Sequence, residues 1–202
     1  MTTYRTYLSY MARSAVCALA LASLAACSSA PARDADVYYD LRPQIENVSF
    51  GSTKTMKLQS VSVKGLQSAR PLVFEASSTP AQYQEVRGHL WHVAPSTLLE
   101  VAIGNALISA STDLVVGTSD NIDDEDLRLR VIVSKFHFSP NDAAHIAFDA
   151  VIKDRRGKIV SSMRYDVSEP ITAEGYENAV LALEAALAQA ITALAKDIAA
   201  TL

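Results

Sequence analysis

Apolar positions fall into three rhythms along this chain, and each rhythm predicts a different element. A period of two runs through "LRLRVIVSKFHF" (127–138), where Leu127, Leu129, Val131 and Val133 share one face and Arg128 and Arg130 the other. The rhythm then slips to Phe136 and Phe138, which predicts a bulge or sharp twist. "HIAFDAVIK" (145–153) sets Ile146, Phe148, Ala150 and Ile152 on one face, and "IVSSMRYDV" (159–167) does the same with Ile159, Met163, Tyr165 and Val167. "SPNDAA" separates the first pair of strands. "DRRGK" (154–158) separates the second, with Gly157 available for positive φ. Three strands joined by such short turns predict an antiparallel meander. Shorter strand candidates precede it in "VYYDLRP", "MKLQSVSVKGL" (56–66), "RPLVFEAS" (70–77) and "DLVVGTS" (113–119). "TPAQYQEVRGHLWH" (79–92) mixes polar and apolar residues without a period.

A helical rhythm appears twice. After Pro95, which the first turn of a helix tolerates, Leu98, Leu99, Ala102, Ile103, Ala106 and Leu107 recur at helical spacing, to an end near Ala110. From about Ala173 to Leu202 a long helix is expected, striped by Tyr176, Val180, Leu183, Leu187, Ile191, Leu194 and Ile198. Alanine fills much of its remainder, which favours helix and permits close approach of a neighbour. The elements together predict an α+β fold. It is a two-layer sandwich with a mainly antiparallel sheet, one mid-chain helix and a long C-terminal helix across the meander.

The third rhythm is an unbroken apolar run of 13 residues, "SAVCALALASLAA" (14–26), too short for a spanning helix of about 20. Met1 to Arg13 before it carries Arg5 and Arg13 and no acid. A basic start, a short apolar core and small residues at the cut describe a secretory signal over 1–26. Leu24-Ala25-Ala26-Cys27 looks like a bacterial lipobox, with Cys27 as the lipidation site; the bland alternative is an exported protein whose cysteine is incidental. Residues 27–36, small, polar and broken by Pro31, form the lipidated tether, and 37–202 form one domain. Ser28 stands where an aspartate often retains a lipoprotein at the inner membrane, which leans towards the inner leaflet of the outer membrane.

Removing 26 residues from 202 leaves 176, enough for one domain with a real core. That mature chain has 16 basic and 22 acidic residues, a formal charge of −6. Such a body is a poor candidate for nucleic acid or anionic headgroups. Its one cysteine is Cys27, so disulfides and cysteine metal sites are excluded. There is no glycine-rich phosphate loop, nucleophile elbow or zinc-protease helix, so no enzyme, metal or cofactor is expected. His89 and His92 flank Leu90-Trp91 without a spaced third ligand. His137 and His145 read as a cross-strand pair. "DNIDDED" (120–126) lacks the spacing and glycine of a calcium loop and reads as a solvated acidic loop. Asp149 and Asp166 are candidates to face each other across the last hairpin.

Several stretches, in order, resemble the ABC-type transport auxiliary lipoproteins, the family that includes paraquat-inducible protein C. They are the lipobox, "VYYDL" (37–41), "LWHVAPSTLLEVAIGNAL" (90–107), "RVIVSKFHFSP" (130–140), the glycine-centred hairpin (147–171) and the tyrosine-led alanine-rich helix (175–202). One departure is visible: "EASSTPAQYQEV" (75–86) stands where the family usually has an aspartate–arginine-like segment. The resemblance implies a binding part of an MCE/ABC system that moves lipids or other hydrophobic molecules. Its partners would be an MCE-family protein and, through it, an ABC permease and ATPase; a homo-oligomer stays open. Tyr38, Tyr39, Tyr83 and Trp91 are the candidate partner contacts, because aromatics are enriched at interfaces; for Trp91 a place in the core is the stronger reading. The alternatives are a lipid carrier with a pocket under the long helix, and an envelope lipoprotein that regulates a cell-wall enzyme. Cys27→Ala should release the protein from the membrane fraction. A variant that still pellets with membranes would refute acylation at Cys27.

Overall fold

Leu127, Leu129, Val131 and Val133 do share one face, all four are buried, and the architecture follows from what covers them. The structure, a computed structural model, describes residues 35–76, 81–118 and 121–202. The strands are β1 (Val37–Tyr39), β2 (Thr55–Val63), β3 (Pro71–Glu75), β4 (Tyr83–Trp91), β5 (Val115–Thr118), β6 (Leu127–Phe138), β7 (Ala143–Asp154) and β8 (Ile159–Pro170). The helices are α1 (Pro95–Ala110) and α2 (Tyr176–Thr201), and a 3-10 turn spans Gly65–Ser68. Asp36–Leu202 is one compact unit, and every residue of its hydrophobic core comes from within it.

All eight strands join in one mixed sheet. The meander β6-β7-β8 is antiparallel as expected, with the register slipping between Val133 and Lys135 at the predicted bulge. The remaining strands add parallel ladders. β1 runs parallel to β4, and β2 runs parallel to both β5 and β6. β7 occupies one edge of β6, so the other edge serves two strands: β2 along Leu127–Val133 and β3 at Phe138. In the gap, Lys64 donates its backbone N–H to Val133 (3.2 Å), and the Gln67 side-chain oxygen accepts the Phe136 N–H at 2.6 Å. A side chain thus completes a ladder where no strand reaches.

β4 carries no readable period because its backbone is not regular. Gly88 has φ +77, and the pairing with β3 slips between Pro71 and Val73. Gly117 in β5 marks a close approach. A Cβ there would lie 2.4 Å from Asn121 Oδ1 and 2.5 Å from Ile122 Cδ1, so the loop after β5 folds back against bare backbone.

Both helices lie on the face of Leu129 and Phe148. α1 rests on β2 and β5, and α2 on β6, β7 and β8, giving two layers. Pro95 opens α1 after an Ala94 cap. α2 begins at Tyr176, since Gly175 at φ +108 cannot continue a helix backwards to Ala173. Leu183, Leu187, Ile191, Leu194 and Ile198 are almost wholly buried, and so are Ala186, Ala190 and Ala195 between them. The small side chains let the helix axis settle close to the sheet. Tyr165 on β8 ties the layers, donating its hydroxyl to Asp197 at 2.7 Å. Leu187→Ala should cost about 2–5 kcal/mol in urea unfolding, while Leu181→Ala, on the exposed side of the same helix, should stay within about 0.5 kcal/mol of wild type.

Candidate interaction surfaces

The aromatic candidates gather where β1 meets β4, with Tyr38 opposite Leu90 and Tyr39 opposite Trp91. Alternation along β1 sends the two tyrosines to opposite faces. Tyr39 points inward and is 9% exposed; its hydroxyl bonds His89 Nδ1 at 2.8 Å, and its ring stacks on that imidazole. His89 in turn packs against Tyr176 at the start of α2, 4.2 Å between centroids. Trp91 is 2% exposed and stacks on Phe136 at 4.9 Å. Neither Tyr39 nor Trp91 can offer its ring to a partner, which corrects the contact expectation for Tyr39 and leaves Trp91 in the core, against Phe136 on β6. Tyr38 is 55% exposed under the Arg70 guanidinium, 5.7 Å above its ring. Arg70 also donates to the carbonyls of Trp91 (3.1 Å) and His92 (2.9 Å), which fixes the end of β4. Tyr83 is 37% exposed, edge-on to His137. Cys27 lies outside the described residues.

His137 and His145 do pair across β6 and β7, with ring centroids 5.1 Å apart. His137 is buried. Its Nδ1 lies 3.3 Å from the Gln67 amide nitrogen and its Nε2 3.5 Å from Glu75. The Gln67 oxygen already holds the Phe136 N–H, so the amide nitrogen faces the ring and Nδ1 accepts from it. The ring proton therefore sits on Nε2, towards Glu75. Burial, helped by the His145 charge, pushes the His137 pKa down to about 4 despite the carboxylate. His145 reaches Ser139 and Ser168 (3.3 and 2.8 Å). Sequence reasoning missed Gln67 and Glu75, because only the fork in the sheet brings them to His137.

The other polar candidates are structural. His92 lies 3.6 Å from Asp40, away from the His89 ring contacts, and no group of three metal-ligating side chains occurs among the described residues. Asp149 and Asp166 do not face each other. Asp149 is opposite Arg164, which grips it through two bonds (2.7 and 3.1 Å), and Asp166 holds Lys135 at 2.7 Å. The Arg164 guanidinium holds the Asp149 carboxyl below the usual carboxylate range. The acidic loop is not all solvated. Glu125 is buried between Arg128 and Lys57, and Asp126 accepts the Thr55 N–H at 3.0 Å. A cleft of about 350 Å³, lined by Phe138, Pro140, Ile171 and Tyr176, opens at the start of α2. The layer under that helix is filled by its own alanine and leucine side chains rather than hollow.

A family model described as the ABC-type transport auxiliary lipoprotein component matches residues 39–199. The chain belongs to this family. The auxiliary lipoproteins are not an enzyme family; membership associates the chain with an ABC transport system and the membrane-anchored envelope. Two crystal structures share the auxiliary-lipoprotein fold described here. One, of an uncharacterized protein, is 20% identical with a TM-score of 0.71, covering 82% of this chain and 99% of its own. The other, XCC0632 from Xanthomonas campestris, a DUF330 protein, is 18% identical with a TM-score of 0.73, covering 82% and 95%. No curated protein matches.

The His137 site makes this auxiliary lipoprotein acid-sensitive in a defined window. The unfolded chain takes up the His137 proton near pH 6.5, while the folded chain resists it down to about pH 4. Stability is therefore full above pH 6.5 and falls with pH towards 4, by about 3 kcal/mol in all. His137→Asn should flatten the urea-unfolding free energy between pH 6.5 and 4.5, whatever its effect at pH 7. An unchanged slope would show that His137 is not the titrating group.

Proposed function

We propose that this chain is a periplasmic accessory lipoprotein, held in the inner leaflet of the outer membrane by acyl chains on Cys27. It acts by binding an MCE-family protein and, through it, an ABC permease and ATPase that move lipids or other hydrophobic molecules. The observation that carries this reading is the family match over 39–199 standing directly behind a lipobox ending at Cys27. Tethering supports weak protein contacts, because it raises the local concentration of the partner surface. Tyr38 and Tyr83 are the aromatic contacts, being the two candidates that reach the surface. The carrier alternative needs a lipid-sized hollow under α2, and the closely packed stripe there counts against it.

In-cell crosslinking of the full chain followed by affinity recovery should retrieve an MCE-family protein. Tyr38→Asp combined with Tyr83→Asp should lower that recovery several-fold while the thermal melt stays near wild type. Recovery of a cell-wall synthase with no MCE protein would overturn the reading.

A further inference from the structure

A net charge of −6 conceals where the charges lie. The two helices carry Glu100, Glu177, Glu184 and Asp197 against Lys196 alone. The opposite face of the sheet carries no helix, and its charge has the other sign. Lys57, Arg128 and Lys153 occupy paired positions across β2, β6 and β7, so three cations stand in one row. Arg130 follows in the next row, between Ser60 and Val151. Like charges directly opposite one another destabilise a sheet. Buried Glu125 bonds both Lys57 and Arg128, and the Lys57 side chain is only 17% exposed, so the unpaired cations of the patch are Lys153 and its neighbour Arg130. Arg130 and Lys153 have no ion-pair partner among the described residues. Further along the face, Arg164 and Lys135 are balanced by Asp149 and Asp166. The patch is thus a cationic row and its neighbour, not the whole sheet.

We infer that this cationic face, left open beyond the loop that covers Lys57, is a docking surface for the anionic phospholipid headgroups of the membrane beside which the chain is tethered. Ser60, Ser62, Ile132, Val151 and Ser162 lie among the cations, with no aromatic anchor of the kind protein interfaces use for their strongest contacts. Diffuse attraction of several Lys and Arg side chains to an anionic surface needs no such anchor. The acidic helix layer points the other way, so the domain is a dipole that orients on a negative surface. Only the presence of a membrane beside the chain rests on the anchoring proposed above. Attraction acts at contact, since the screening length is about 8 Å at physiological salt.

The test is sedimentation of the Asp36–Leu202 unit, which contains its whole core, with vesicles of equimolar phosphatidylglycerol and phosphatidylcholine. At about 50 mM salt the domain should pellet with these vesicles, stay in solution with pure phosphatidylcholine, and be released at about 500 mM. Arg130→Glu with Lys153→Glu should weaken binding at least about tenfold. The milder Arg130→Gln with Lys153→Gln should weaken it several-fold with an unchanged melting temperature, which separates lost charge from lost fold. Lys196→Glu, on the helix layer, should leave binding as it was. Equal pelleting with pure phosphatidylcholine, full binding by the glutamine variant, or no pelleting of the wild type would overturn the inference. The last outcome would point to an acidic protein as the occupant. None of these failures bears on acylation at Cys27 or on the transport partner, because the assay contains neither.

Discussion

The structure depends on burying one continuous apolar stripe of α2 against the meander. Leu183, Leu187, Ile191, Leu194 and Ile198 meet Ile146, Phe148, Ala150 and Ile152 with almost no surface left to water. Burial of this kind is the dominant favourable term in folding and is roughly proportional to area. It works here because both partners keep their periods for a long distance. β6 holds a period of two from Leu127 to Val133 before its bulge, β7 sets Ile146, Phe148, Ala150 and Ile152 on one face, and the helix holds its stripe along most of its 26 residues. Alanine beside the stripe brings the two layers close. α1 then has only the remaining strip over β2 and β5 to cover.

Once helices claim one face, polar groups must be satisfied at the places the sheet is irregular. The sharpest case is the edge of β6 between its two parallel neighbours. Gln67 fills the gap, and in doing so it places an amide against His137, a ring whose neutral form burial favours. Glu125 does similar work under the acidic loop, where it gathers Arg128 and Lys57. These groups resemble chemistry in the sequence, yet each has its hydrogen-bonding capacity occupied. No buried side-chain nitrogen or oxygen among the described residues is left without a partner.

The surfaces differ in kind. The β1 edge shows tyrosines, the helix layer is acidic, and the other sheet face carries a cationic row.

The sequence by itself determined whatever rests on unbroken periodicity. The meander, its bulge, both helices and the α+β class were legible, because Leu127 to Val133 and Val180 to Ile198 repeat with the geometry of their own backbones. Tertiary structure alone decided which neighbours those elements have. β4 was hidden by the irregular backbone around Gly88, and the parallel ladders depend on pairings between distant segments. Burial of Tyr39 and Trp91 depends on β1 crossing to β4, a contact that leaves no local period. Net charge is additive along a chain, but a charged face is not. Lys57, Arg128 and Lys153 become one row only when three strands lie side by side, because pairing register is a property of the sheet and not of any strand within it.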